Sequence, residues 1–337
     1  MKHTLGCVIS PNFLAPTYAL VIIVWFISWI TVGDANRVLV LLKRYIFWLL
    51  AVTPFLVLYS FVRHQQKSAI WLIFPSLIFL WLYNPYLLPK GALHAPNAQV
   101  IRVLTYNVLF SNENYDAVAG TILANQPDLV ALQEVQPAMM DKLQKRLQAV
   151  YPHSLLGTEN DYGTTAVFSR YPFMESYILD LQADRPAVIV TVEIQGKTIT
   201  FVSTHLLAYN LWWTKLKDIP ATVMERTFNQ NRQAALLIDE IKSKDGIVIL
   251  GCDCNGYETS SSYRLLDQVM DNSARSRNGL APIDSSGELK RDVFPWHIDF
   301  VWYKGEVLPA GTYKVSNSSG SDHLPVLSTF VINPEAK

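Results

Sequence analysis

The sequence predicts an α/β fold of two packed mixed β-sheets flanked by helices, preceded by three transmembrane helices. Three observations predict it. From about residue 99 onward, strand-like apolar runs dominate and helical segments are interleaved with them, which is the α/β pattern. Several of those runs end in polar residues of chemical use: Asn107, Glu134, His205, Asp253, Asp299. The first ninety residues instead hold three long, nearly uncharged apolar runs. Half of the 337 residues are hydrophobic and only 17% are charged, against about 25% in an ordinary soluble domain.

The charge is split in the same way. Residues 1–94 hold seven Lys/Arg and one Asp, net +6; 21 basic and 27 acidic residues remain for 95–337, net −6. An acidic domain with no basic tract is poorly suited to gripping long nucleic acid by its phosphates. Cys7, Cys252 and Cys254 have neither a zinc-site spacing nor the number needed for a disulfide framework. As unpaired thiols, Cys252 and Cys254 agree with a reducing compartment.

Taken in order, residues 13–32 form an uncharged run long enough to cross a bilayer, with Trp25 and Trp29 inside it. A signal peptide fits it badly, because the run is long, lacks a small-residue cleavage site and is followed by two more. Residues 33–37 (GDANR) break it. The second run, 45–62, follows Lys43 and Arg44 and contains Pro54, which a membrane helix accommodates. After a polar turn (RHQQK, 63–67), the third run, 69–88, contains Pro75 and ends with Tyr83, Pro85 and Tyr86, like an interfacial belt. Three spans place the N-terminus and the large domain on opposite sides. Arg37, Lys43, Arg44, Lys90 and Arg102 would flank one side, and Lys2, Arg63 and Lys67 the other. Five against three leans the domain to the cytoplasmic face of a bacterial plasma (inner) membrane. The expected division is a transmembrane region over 1–89, a Pro/Gly-containing linker over 90–98 and a catalytic domain over 99–333.

Within that domain, 100–108 (VIRVLTYNV) alternates as a strand and ends at Asn107, and 114–125 is helical. A second buried strand, 127–135 (PDLVALQEV), ends at Gln133 and Glu134; an amphipathic helix follows over 137–150. Residues 163–169 (GTTAVFS) form a strand before Arg170 and a Tyr171-Pro172 turn. Strands over 187–194 and 198–203 flank Gln195-Gly196-Lys197, a hairpin signal, and the second delivers Thr204-His205. Residues 208–220 form a loop with Trp212 and Trp213, and 225–242 a helix carrying Arg232. Residues 247–255 (IVILGCDCN) read as a central strand covered on both faces. Residues two apart on a strand share a side, so Asp253 and Asn255 face one way and Cys252 and Cys254 the other. A carboxylate and a carboxamide ending a buried strand are costly unless something pairs with them. A short helix (263–270), a strand with Asp299 (297–303, HIDFVWY), the turn GSDHLP (320–325) and a last strand (326–332) complete the chain.

Set side by side, the strand ends supply Asn107, Glu134, His205, Asp253 with Asn255, Asp299, and Asp322 with His323. Acidic groups beside His and Asn make chemical sense as a hard-metal site, because Mg²⁺ takes carboxylate and carboxamide oxygens and keeps room for substrate phosphate. No HExxH or Cys₂His₂ pattern competes for zinc.

YNV, QEV, STHL, GxDxN, HID and GSDHLP, in that order and over residues 99–332, resemble the motifs of the endonuclease/exonuclease/phosphatase superfamily. The resemblance implies a four-layered α/β sandwich and hydrolysis of phosphate esters with Mg²⁺ or Mn²⁺. It implies that Asn107 and Glu134, with Asp322, attend the metal. Asp253 would orient or deprotonate the attacking water, Asn255 would bind phosphate, and His205 would contact a phosphate or leaving oxygen. His323 would stabilise phosphoryl oxygens, kept protonated by Asp299. Two departures stand out. The usual Gly-Asp-Phe-Asn is Gly251-Cys-Asp-Cys-Asn255, with one residue inserted, and the Arg that commonly precedes Ile-Asp is His297. The expected partners are a phosphate-ester substrate and, through the N-terminal helices, a membrane, with no obligate protein partner. The substrate is a lipid head group, a small phosphodiester or nucleic acid; net −6 and the tether favour the first two. A catalytically dead binding module would have lost a metal or phosphate group, and none is lost. Trp212 and Trp213 would either touch the bilayer or pack in the core.

Overall fold

The computed structural model describes residues 11–87, 99–158, 163–209, 214–277 and 297–332, and it divides into two compact units, Met1–Asn84 and Pro85–Lys337. The expected linker and the Trp212–Trp213 pair lie outside the described residues.

The first unit is helical: α1 (Pro11–Thr31), α2 (Arg37–Ala51), α3 (Thr53–Val62) and α4 (Gln66–Leu87). Three segments, Phe13–Thr31, Tyr45–Val62 and Gln66–Leu87, are long and apolar enough to cross a membrane. The second keeps the predicted bounds, 45–62, but is built from two helices. Its first helix starts early, at Arg37, where the Asn36 side chain accepts the N–H of Val38 (2.9 Å), and it gives way to α3 at Val52. Pro54 explains the break: it has no N–H to offer the preceding turn, and the Thr53 hydroxyl donates to the Leu50 carbonyl instead (2.6 Å). Lys43 stands just before the apolar segment that starts at Tyr45. It lies inside α2, buried, and is ion-paired with the buried Asp34.

The second unit opens with β1 (Gln99–Asn107), α5 (Tyr115–Asn125), β2 (Leu129–Val135) and α6 (Pro137–Leu147). It continues with β3 (His153–Leu156), β4 (Thr164–Ser169), β5 (Phe173–Leu179), β6 (Ala187–Ile194), β7 (Lys197–His205) and the long helix α7 (Ile219–Ser243). It closes with β8 (Ile247–Asp253), α8 (Ser261–Leu266), β9 (Asp271–Asn272), α9 (Ser273–Arg277), β10 (Asp299–Lys304), β11 (Val307–Lys314) and β12 (Val326–Ile332). The strands make two six-stranded sheets in the orders β11-β12-β1-β2-β4-β3 and β5-β6-β7-β8-β10-β9. Each is mixed: β1–β2 and β7–β8 are parallel and the other pairs antiparallel.

Side-chain alternation builds four layers from these sheets. Ile101, Val103 and Leu129 of the first sheet meet Val190, Phe201 and Ile249 of the second in a central apolar layer. The outer face of the first sheet buries α5 and α6 through Val118, Ile122, Met139 and Leu143. The outer face of the second buries α7 and α8 through Leu237, Ile241, Tyr263 and Leu266. Burial of each such side chain contributes roughly 1.5–3 kcal/mol, which is why the apolar periods are readable in the sequence. The Gln195-Gly196 hairpin forms with both residues at positive φ and Ile194 paired to Lys197, as a two-residue turn matched to strand twist requires.

Four strands were not foreseen: β3, β5, β9 and β11. All four are sheet edges. An edge strand has fewer neighbours to bury it, so its apolar signal is weak; β11 even tolerates Pro309 beside a register shift.

Candidate active site

Strand register assembles the site before any side chain is considered. In the second sheet His205 lies opposite Asp253 across the parallel β7–β8 pair, and Asp299 lies opposite Asp253 across β8–β10. Three predicted residues thus stand side by side at one end of the central strands. Gly251, two residues before Asp253, faces the other sheet. A Cβ there would stand 2.7 Å from Cβ of Ala131, so its absence lets the sheets approach just beneath the site. Asn107 at the end of β1 can then reach across: its Nδ2 donates to Oδ2 of Asp253 (2.8 Å) and to Oε1 of Glu134 (3.1 Å).

Glu134 is aimed by a bulge. The β2–β4 register shifts between Leu132 and Val135, and Glu134 takes φ 61. Gly163 makes room, since a Cβ there would fall 2.5 Å from the Glu134 carbonyl carbon. The turned-out carboxylate accepts the Phe110 N–H at Oε2 (3.1 Å). The GSDHLP turn enters because β12 pairs with β1. The Ser321 hydroxyl donates to the Asn107 carbonyl (2.7 Å) and accepts the His323 N–H (3.0 Å), which fixes His323 over Asp299. His323 Nδ1 is 2.7 Å from Oδ2 of Asp299, and Nε2 is 3.8 Å from Oδ2 of Asp253.

The two imidazoles are held in opposite states. Burial alone would lower the pKa of His323, but Asp299 and Asp253 outweigh it and hold it well above the ordinary value, so the ring is an imidazolium. His205 is pushed well below its ordinary value by burial, then by Arg185 and His323. Arg185 Nη1 lies 2.8 Å from its Nδ1, and Nδ2 of Asn255, which donates to the Leu206 carbonyl, lies 2.9 Å from its Nε2, so both ring nitrogens face donors. Nε2 is 3.4 Å from Oδ2 of Asp253. Asp253, pushed up to about 7 by burial and then by the charge of Asp299, is poised to exchange a proton near neutrality.

Asn107, Glu134, His205, Asp253, Asn255, Asp299 and His323 are therefore brought together. Asp322 is exposed, and no described hydrogen bond or ion pair joins it to Glu134 or Asn107. Ligand atoms of Asp253, Asp299 and His323 lie within 4.8 Å of one another, close enough for one cation. The Nδ1–Asp299 bond and the charged ring fit an imidazolium held by two carboxylates better. Glu134 and Asp253, either side of one amide, give a set of hard oxygen donors, with Glu134 partly open to solvent; that chemistry fits Mg²⁺.

Sequence reading missed Arg185, Gln230 and Gln233. Arg185 follows three residues at positive φ, Gln182, Ala183 and Asp184, a turn that delivers its half-buried guanidinium to His205. Gln230 Nε2 lies 3.0–3.2 Å from the carbonyls of Leu207, Cys254 and Asn255. Gln233 accepts the Leu207 N–H (2.9 Å) and donates to the Gln182 carbonyl (3.0 Å). Two glutamines on the buried face of α7, beside Ala234, Leu237 and Ile241, were the available signal, because a buried amide requires partners. His297, at the departure noted above, pairs with Glu258 (2.9 Å) outside this cluster. The cysteine reading is also corrected: Cys252 and Cys254 are joined as a disulfide.

A family model described as "Endonuclease/Exonuclease/phosphatase family" matches residues 104–323. Among solved structures, Danio rerio TDP2 complexed with single-strand DNA product superposes with a TM-score of 0.57 at 19% identity, covering 69% of this chain and 99% of that one. An endonuclease/exonuclease/phosphatase from Bacteroides vulgatus gives 0.56 at 19%, covering 69% and 99%. The mannosyl-6-phosphatase of Bacteroides thetaiotaomicron VPI-5482 gives 0.53 at 18%, covering 69% and 100%. At these identities the likeness is one of fold. No curated protein matches.

Proposed function

This chain belongs to the endonuclease/exonuclease/phosphatase family, and from that premise we propose that it is a membrane-anchored, divalent-cation-dependent phosphoester hydrolase. The observation that carries the reading is Asp253 set between a neutral His205 and a charged His323. Environments that push titratable groups apart assign acid and base roles. Asp253, ionised above about pH 7, takes the proton of a water that attacks phosphorus in line with the leaving oxygen. His205, the Asn255 amide and Arg185 hold the phosphoryl oxygens. The His323 imidazolium meets the charge that builds on them in the transition state. Glu134, oriented by the Asn107 amide, would hold Mg²⁺ or Mn²⁺, which would supply further positive charge to the phosphate when bound.

The three apolar helices support the membrane anchor, and a catalytic domain over 99–333 tethered by 90–98 follows from it. Anchoring and the acidic domain favour a lipid head group or small phosphodiester, in the manner of a sphingomyelinase or inositol phosphatase. A nucleic-acid substrate is the other arm, supported by the DNA product bound to the similar TDP2. A binding module without catalysis is disfavoured, because every predicted reacting group except Asp322 converges.

A hydrolysis screen with Mg²⁺ over single- and double-stranded DNA, RNA, phosphoinositides and sphingomyelin tests the reading. EDTA is expected to suppress turnover and Mg²⁺ or Mn²⁺ to restore it. In Glu134→Ala, the cation concentration for half-maximal rate is expected to rise at least about 10-fold. Undiminished turnover in EDTA sinks the cation assignment. For the anchor, the full-length chain is expected to stay with membranes through high-salt and carbonate washes; its release by either refutes the spans.

A further inference from the structure

The strand that carries Asp253 also carries the one disulfide among the described residues, and the bonded cysteines are its two chain neighbours. Cys252 and Cys254 are both buried, in the apolar layer between β8 and helices α7 and α8. Asp253, between them, points the other way, into the site.

In a regular strand, residues two apart have Cα atoms about 6.6–6.8 Å apart, twice the rise per residue. The Cα atoms of Cys252 and Cys254 are 5.1 Å apart. The backbone is therefore contracted across Asp253. What the contracted end does is visible in the next bonds. The Cys254 N–H reaches the Ile298 carbonyl (2.9 Å) and the Asn255 N–H reaches Oδ1 of Asp253 (3.1 Å). Asn255 turns to φ 45, which brings its amide 2.9 Å from Nε2 of His205 and 3.0 Å from the Leu206 carbonyl. Gln230 receives the two outgoing carbonyls, Cys254 and Asn255. The crosslink spans the residue whose placement all of these contacts share.

We propose that Cys252 and Cys254 are positioning residues: their disulfide fixes the contracted end of β8 that brings Asp253 and Asn255 into the site, and the enzyme reaches full activity only with the pair oxidised. Closing it needs a disulfide oxidant. One cysteine thiolate attacks a sulfur of the oxidant and releases one thiol; the other cysteine displaces the second thiol from the mixed disulfide. In all, two electrons pass to the oxidant and two protons leave the cysteines. Because α7 and α8 cover both sulfurs, closure precedes their packing, and the folded enzyme keeps the bond against reductants. A domain built this way folds where such oxidants persist, outside the cytoplasm. That reverses the side given by the charge count, which in any case loses Lys43 to its internal pair with Asp34.

The inference rests on the hydrolase reading for its activity arm alone. The test uses the full-length chain in detergent, as wild type purified under oxidising conditions, as wild type unfolded and refolded with excess dithiothreitol, and as Cys252→Ser/Cys254→Ser. In the oxidised wild type, a maleimide added after denaturation is expected to label Cys7 alone. Hydrogen exchange is expected to show loss of protection at the Cys254 and Asn255 amides in the reduced and double-serine forms, with the β7 amides unchanged. With bis(p-nitrophenyl) phosphate and Mg²⁺, kcat of the double variant is expected to fall about 10²-fold, the scale of a misplacement near 1 Å, with KM little changed. Labelling of all three cysteines in active wild type overturns the proposal, as does unchanged exchange at residues 254 and 255 in the reduced protein. If the double variant fails to fold, the refolded wild type decides. If oxidised wild type hydrolyses no phosphoester at all, the functional reading fails, while the exchange comparison still decides this one.

Discussion

Replacing Asp253 by Asn is expected to lower kcat about 10²- to 10⁴-fold, the range of a positioned general base. The substitution keeps the shape and the contact with Asn107, so it isolates the proton-accepting role. In the wild type the rate is expected to rise with pH through about 7, because burial and the neighbouring Asp299 raise the Asp253 carboxyl and only its ionised form accepts a proton. Asp253→Asn is expected to lose that acidic limb. The sign for stability runs the other way. A carboxyl whose folded-state pKa is raised weighs increasingly against the fold as pH climbs from the free value of about 3.9 to about 7, and fully above that, so at pH 8 the Asn variant is expected to melt no lower than wild type. The check is kcat against pH for both proteins, with melting temperatures at pH 8. An Asn variant with most of its activity and an unmoved acidic limb would falsify the base assignment.

What made Asp253 legible was burial. IVILGCDCN is apolar up to its last turn, so the strand, its central position and its polar end are all written in one stretch, and the same holds for VIRVLTYNV and PDLVALQEV. The edges β3, β5, β9 and β11 were not legible because solvent relaxes the demand on one side of each. The direction of Glu134 could be guessed only from resemblance, since the bulge that turns it depends on Gly163, just before β4 and distant in sequence. Arg185 had no signal of its own. It reaches His205 because three left-handed residues aim it, and a pattern of types does not encode φ. The charge state of His205 was not readable for a related reason: it depends on which groups the fold places around the ring, here Arg185 at one nitrogen and His323 nearby. Lys43 and Pro54 make the same point for the helical unit. Hydropathy located the three apolar segments, while the ion pair and the break inside α2–α3 are tertiary and local backbone events.

His323→Ala is expected to cost about 10²- to 10⁴-fold in kcat, because it removes a preorganised cation from the phosphoryl oxygens. Asp299→Asn is expected to keep the fold and act through His323. Asp299 and His323 come from β10 and from the turn before β12, in different sheets, and the fold brings them to 2.7 Å. The wild-type imidazolium persists well above the free-histidine pKa of about 6.5, so the alkaline limb of the rate profile lies above that value. In Asp299→Asn one of the carboxylates that outweigh burial is gone. Asp253 remains at 3.8 Å, so the ring pKa falls without collapsing, and the alkaline limb is expected to move to lower pH while the rate near pH 6 suffers least. The double variant is expected to be little slower than His323→Ala, because groups that act as one unit are not additive. The measurement is a double-mutant cycle in kcat, run across the pH range with saturating Mg²⁺. Losses that multiply, or an alkaline limb that stays in place in Asp299→Asn, would show that Asp299 acts separately from His323, and the charged imidazole would then need another source for its proton.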